Sequence, residues 1–265
     1  MKVVRVLAVL ASALLALLLA LPLAALFLRR PPGEILLRLA DPLVLDALRL
    51  SLVTSLAATA AVVVLGLPAA YLLATRRFRG KRVVELLVQL PMVLPPTVSG
   101  FALLLALGRA GLAGRALEAF GIMLPFTTLG VIVAQAFMAV PFFVLAARSG
   151  FEQVDVRYRE AAATLRADEV RTALRVMLPL ALPSLVAGAT MACARALGEF
   201  GATITFAGNM PGLTQTMPLA VYLALQTDLD AAIALSVVLV ALAVGLLAGV
   251  HAAGGVLLGA RTRRA

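Results

Sequence analysis

Charge is scarce in this chain. Of its 265 residues, 14% are Asp, Glu, Lys or Arg and 63% are hydrophobic, whereas soluble domains are about a quarter charged and about half apolar. A core of this size cannot hide so much apolar surface from water, so the solvent for most of the chain is lipid. Cysteine and histidine occur once each, as Cys193 and His251. One cysteine excludes an internal disulfide and a cysteine metal cluster, and one histidine gives no histidine metal site. Lysine stops at Lys81, which follows the run RRFRG. There is therefore no Gly-x-x-x-x-Gly-Lys-Ser/Thr loop to cradle nucleotide phosphates, and any ATP, with its magnesium, has to be used by a partner. A lone histidine far from any Gly-x-Ser-x-Gly leaves no nucleophilic triad. No cofactor and no enzyme activity are expected of the chain itself. A membrane-embedded hydrolase would need a catalytic pair inside the spans, and none is present. An ion-coupled secondary transporter, the distant alternative, would need a midplane site within inverted repeats; neither an acidic residue near a midplane nor a convincing repeat is found.

Arginine, by contrast, is plentiful. The net charge is +10, but the arginines flank apolar segments and form no aromatic-rich basic face, so nucleic acid is not an expected partner. Six apolar segments span roughly 4–28, 50–74, 83–107, 122–147, 179–199 and 232–258. Each reaches the roughly 20 residues needed to cross about 30 Å of hydrocarbon. The first is uncharged from Val6 to Leu28, long for a signal peptide, and reads as a retained helix. Basic residues concentrate in the 75–82 and 148–178 loops and at both termini, including Lys2, Arg5, Arg261, Arg263 and Arg264. The opposite loops hold only Arg29, Arg30, Arg38, Arg49, Arg109 and Arg115, and the 200–231 loop holds no Lys or Arg. By the positive-inside rule both termini are cytoplasmic. The fold class is an all-α integral membrane protein, with residues 1–265 forming one transmembrane domain.

Three stretches could carry function. The third span contains Pro91, Pro95 and Pro96, followed by Thr97, Ser99 and Gly100. Prolines remove backbone donors, and broken helices persist in lipid where they are buried or line a wet cavity. A kinked packing helix and a pathway-lining segment both remain open. In the fifth span Pro179 suits a helix start. Ser184, Gly188, Ala192 and Ala196 recur every four residues, a spacing that lets helices approach closely. Ser184, Gly188, Ala192, Arg195 and Glu199 share one arc, small-lined and ending in two charges. Counted from Pro179 at about 1.5 Å per residue, Arg195 lies about 24 Å and Glu199 about 30 Å along the span. Arg before Glu is the poorer order for an i,i+4 pair, so a mutual pair near the far interface and a gate residue are both open. Gly198 and Gly201 let the backbone leave the helix. The third stretch is the 150–178 loop, rich in helix formers. It reads as helix, turn, helix, with Asp168 and Glu169 opening the second helix. It is either a membrane-surface helix or a docking platform.

The run EAAATLRADEVRTALRVMLP, Glu160 to Pro179, resembles the EAA loop of ABC importer permeases. Glu160, Ala161, Ala162, Leu178 and Pro179 match that pattern, and Val176 stands for its isoleucine. The glycine of the pattern falls on Arg166, where a left-handed turn costs a non-glycine residue about 1 kcal/mol or more. With RALGEFGATITFAGNMPG, Arg195 to Gly212, and LPMVLPPTVSG, Leu90 to Gly100, the likeness narrows to molybdate permeases of the molybdate/sulfate importer group. Sulfate, thiosulfate and tungstate permeases are the neighbouring alternatives. The resemblance implies a type I importer fold and a homodimer in the cytoplasmic membrane. It also implies two cytoplasmic ATPase subunits and an extracytoplasmic molybdate-binding protein. Glu160, Ala161, Ala162, Arg166, Leu178 and Pro179 would couple to the ATPase. Pro95, Pro96, Thr97, Ser99, Gly188, Arg195, Glu199 and Thr203 would line the passage or its gate.

Overall fold

The computed structural model describes residues 2–29, 31, 33 and 41–262, with no side-chain account of residues 2, 3, 247 and 250–262. Arg30, Arg38, Arg263 and Arg264 of the charge argument fall outside the described residues, and the His251 side chain falls outside that account. The described chain is helical: α1 (Lys2–Leu28), α2 (Pro42–Thr75), α3 (Lys81–Val93), α4 (Pro96–Leu107), α5 (Gly114–Ala119), α6 (Thr128–Glu152), α7 (Val156–Thr164), α8 (Glu169–Thr172), a π-turn (Ala173–Met177), α9 (Leu178–Leu197), α10 (Gly201–Ala207), α11 (Met217–Thr227) and α12 (Leu229–Thr262). Among the described residues five stretches are long and apolar enough to cross a membrane: Val4–Leu28, Pro42–Thr75, Thr128–Glu152, Glu169–Leu197 and Leu229–Leu246.

The expected third span is not one helix. Pro95 and Pro96 split 83–107 into α3 and α4, with Leu94 and Pro95 extended between them. Two successive prolines deprive the chain of adjacent amide donors, and Pro96 restarts a helix at its first position, where the missing donor costs nothing. Other bounds shift as well. The second span begins at Pro42, capped by Asp41, and the fourth begins only at Thr128, capped by Thr127. The 200–231 connection is not a plain loop, for it contains α10 and α11. The second helix of the 150–178 loop is not separate either. The chain runs from α8 through the π-turn into α9, and Leu178 donates to the Ala173 carbonyl. That wide turn lies directly ahead of Pro179, so this proline sits inside a continuous rod instead of starting a span.

The core lies where α2, α6 and α9 meet. Ala58, Val62 and Ala70 of α2 pack with Ala139, Phe143 and Ala147 of α6 and with Ala181, Ala192 and Ala196 of α9. The small face expected on the fifth span makes this contact. A Cβ on Gly188 would lie 2.9 Å from the Ala146 Cβ, and one on Gly150 would lie 2.5 Å from the Ser184 Cβ. Between apolar helices in lipid, such close approach supplies the packing that the hydrophobic effect cannot. The short α4 and α10 form a second contact with α6 through Leu103, Ala134, Met138, Ala202 and Phe206. Helix α1 meets α12, where Leu26 packs against Ala234 and Val237, and most of its other leucines and valines stay exposed for lipid.

The turn between α7 and α8 places Arg166 at φ +54°. This is the left-handed conformation that the pattern's glycine would take freely. Arg166→Gly is therefore expected to stabilise the protein by about 1 kcal/mol, read as a rise in thermal midpoint in detergent; an unchanged or lower midpoint would contradict it.

Candidate functional site

Two groups of residues stand out, at opposite ends of the bundle. At the arginine-rich end, Asp155 caps α7 by accepting from the Arg157 backbone N–H at 2.9 Å. The Arg157 guanidinium and this N–H, in that order of weight, hold the Asp155 carboxyl below the usual carboxylate range. The cap thus stays ionised and persists until pH falls well into the acid range. One turn on, Glu160 and Ala161 are exposed while Ala162 is buried. The helix therefore offers Glu160 and the small Ala161 outward and rests on Ala162. Beyond the Arg166 turn, Asp168 caps α8 by accepting from the Arg171 N–H at 2.6 Å. Leu178 and Pro179 follow inside the rod.

At the other end two interrupted helices abut. The break between α3 and α4 and the break between α9 and α10 meet at Pro96 and Gly201. A Cβ on Gly201 would lie 2.8 Å from the Pro96 Cβ and 3.2 Å from the Thr97 amide nitrogen. One turn on, a Cβ on Gly100 would lie 2.8 Å from the Ala202 Cα. Glycine at both positions lets the two short helices touch backbone to backbone. Arg195 and Glu199 flank the second break. Their side chains do pair, Nη2 to Oε2 at 2.5 Å, despite the less favoured order. The pair is an ion contact lacking the angle of a hydrogen bond, while Glu199 Oε1 accepts from the Ala202 N–H at 2.7 Å. Glu199 is fully buried and Arg195 remains 24% exposed. The carboxylate thus joins three segments: the end of α9, the break and the start of α10.

The elements at this end also carry buried polar atoms with no partner among the described residues. Ser99 Oγ, Thr203 Oγ1 and both amide atoms of Gln135 are buried and make no hydrogen bond among the described residues. The contacts of Gly150 with Ser184 and of Gly188 with Ala146 fix an antiparallel register between α6 and α9. Carried outward, that register sets Gln135 level with Glu199. Each orphaned buried polar group costs about 1–3 kcal/mol, so a bundle built only for stability would place apolar side chains here. Pro95, Pro96 and Thr97 are exposed at the α4 break, and Gly188 lies in the α6–α9 contact. Gln135 was not singled out from the sequence. The available signal was one amide within the apolar run VIVAQAFMAV, and an uncompensated polar group inside a span marks function.

The chain matches the family model described as binding-protein-dependent transport system inner membrane component over residues 63–253. It is 45% identical over 88% of both chains to the molybdenum transport system permease protein ModB of Mycobacterium tuberculosis. It is 40% identical to a probable molybdenum ABC transporter permease protein of Haloferax volcanii, over 88% of this chain and 84% of that one. Among solved structures, a bacterial ABC transporter involved in the import of the acidic polysaccharide alginate superposes with a TM-score of 0.76 over 94% of each chain, at 14% identity. A second crystal structure, that transporter with an alginate pentasaccharide-bound periplasmic protein, gives 0.72 over 92% of each chain at 13% identity. At such identities the likeness concerns the fold alone.

Proposed function

Because this chain belongs to the binding-protein-dependent transport system inner membrane component family, we propose that it is the membrane subunit through which an ATP-driven importer passes molybdate. The observation that carries the choice of oxyanion is the 45% identity to a molybdenum transport permease across most of both chains. In this reading two copies of the chain form the passage within the cytoplasmic membrane, and both termini face the cytoplasm. Two separate ATPase subunits bind ATP and magnesium, and an extracytoplasmic protein delivers the oxyanion. Helix α7 docks in the ATPase through its exposed Glu160–Ala161 face. ATP-driven closure moves α7, and the rod from Glu169 to Leu197 carries that motion to the paired breaks at Pro96 and Gly201, giving alternating access.

At the breaks Arg195 offsets the repulsion that a dianion meets in a low-dielectric passage. Glu199 competes with the substrate for that arginine and keeps the anion from staying bound. Vesicles holding this chain, its ATPase and its binding protein should take up molybdate only with ATP and binding protein. Uptake driven by an ion gradient without ATP would overturn the reading, and retention of sulfate, thiosulfate or tungstate in place of molybdate by the binding protein would move the substrate.

The layer around Gln135 gives a separable expectation. Gln135→Leu relieves a buried amide and should raise stability by about 1–3 kcal/mol, yet slow uptake. A variant less stable than the unaltered protein would show that the amide serves packing, and an unchanged transport rate would remove it from the passage.

A further inference from the structure

We propose that Arg76 and Glu169 form an ionic clasp that makes the two long rods of the bundle move together when the ATPase pulls on the α7 loop; this rests on the coupling reading given above. Arg76 caps the C-terminal end of α2, and Glu169 opens α8. Their contact is forked: Arg76 Nε donates to Glu169 Oε1 at 3.1 Å, and Nη2 donates to Oε2. Two parallel charge-assisted bonds fix orientation as well as distance. Each partner also lies at the favourable end of its helix, the cation at a C-terminus and the anion at an N-terminus. The hydrogen bonding to the Glu169 carboxylate, and then its charge, hold the Arg76 guanidinium more firmly charged than usual. The Arg76 carbonyl in turn accepts from Lys81 Nζ at 3.4 Å, at the start of α3.

What the clasp joins gives it a role. Glu169 begins a rod of 29 residues ending at Leu197, about 44 Å at about 1.5 Å per residue, with Glu199 just beyond. Arg76 directly follows a rod of 34 residues, whose Ser51 Oγ accepts from the Met217 N–H at 2.7 Å at the start of α11. Both rods therefore run from the arginine-rich end to the segments around the paired breaks. A pull on α7 reaches α8 through the Arg166 turn. With the clasp made, the same pull is shared by α2; without it, α8 and α9 move alone and the far end closes on one side only. The pair is half exposed, so its contribution to stability is small. Its effect lies in coupling, where a link between sites amounts to about 5–150-fold.

The test uses the complete transporter in vesicles and measures ATP hydrolysed per oxyanion imported, a ratio that a merely structural contact would not move. Arg76→Glu and Glu169→Arg should each raise the ratio about tenfold, and the charge-swapped double variant should bring it back to near the original value. Arg76→Lys, which keeps the charge and loses the fork, should fall between. A ratio unchanged in both single variants would overturn the clasp while leaving the transport reading intact. Loss of uptake or of assembly in the single variants that the swap does not restore would overturn it too. If the unaltered transporter imports no oxyanion, the coupling reading fails, and the clasp fails with it.

Discussion

Ala161→Glu is expected to abolish substrate-linked ATP turnover while the membrane subunit still folds and inserts. Two neighbouring alanines of α7 separate these effects. Ala161 is exposed and Ala162 is 7% exposed against the bundle. A glutamate at 161 adds bulk and charge only where the ATPase cleft has to close over the helix, so the docked state is lost and the isolated chain is unaffected. A glutamate at 162 would bury an unpaired carboxylate, which costs several kcal/mol, and would lower stability before any partner binds. Both variants are checked by thermal unfolding in detergent and by binding-protein-stimulated ATP hydrolysis. A normally stimulated Ala161→Glu transporter would remove the α7 face from the mechanism.

The second large effect is expected at the Arg195–Glu199 pair. Removing one partner leaves the other charge unpaired in a largely buried place, and each of Arg195→Ala and Glu199→Ala should cost about 3–5 kcal/mol. Glu199→Ala also deprives the Ala202 N–H of its acceptor, so it should be the worse of the two. The double variant removes both charges and should recover most of the stability. Transport should not recover with it. At 4 Å and an effective dielectric of 20, an arginine favours a unit negative charge by about 4 kcal/mol. Even part of that stabilisation, withdrawn from a dianion in transit, slows uptake at least about a hundredfold. A stable double variant that transports normally would make the pair structural.

Much of this arrangement is legible in residue spacing. The small residues of the fifth span recur every four positions, and they find α6 as that spacing requires. The positive φ of Arg166 follows from its place where the resembling pattern has glycine. The break before α4 is visible in Pro95 and Pro96, although proline alone does not say whether a helix kinks or restarts. Other features have no local signature. Helices α10 and α11 lie within a stretch whose glycines and prolines hide two short helical runs. The meeting of Pro96 with Gly201, and of Arg76 with Glu169, joins residues far apart in the chain, and only the packed helices bring them together. Gln135 is visible as an isolated amide, but its missing partners emerge only from the burial around it.

Cys193 is the chain's sole cysteine and is buried, so a cysteine at position 160 can be addressed alone. In membrane vesicles of known orientation, the account predicts that Glu160→Cys reacts only with reagent on the cytoplasmic side and cross-links to the ATPase subunit, with a yield that changes when ATP is added. Labelling from the opposite side, or no cross-link to the ATPase in any nucleotide state, would contradict it.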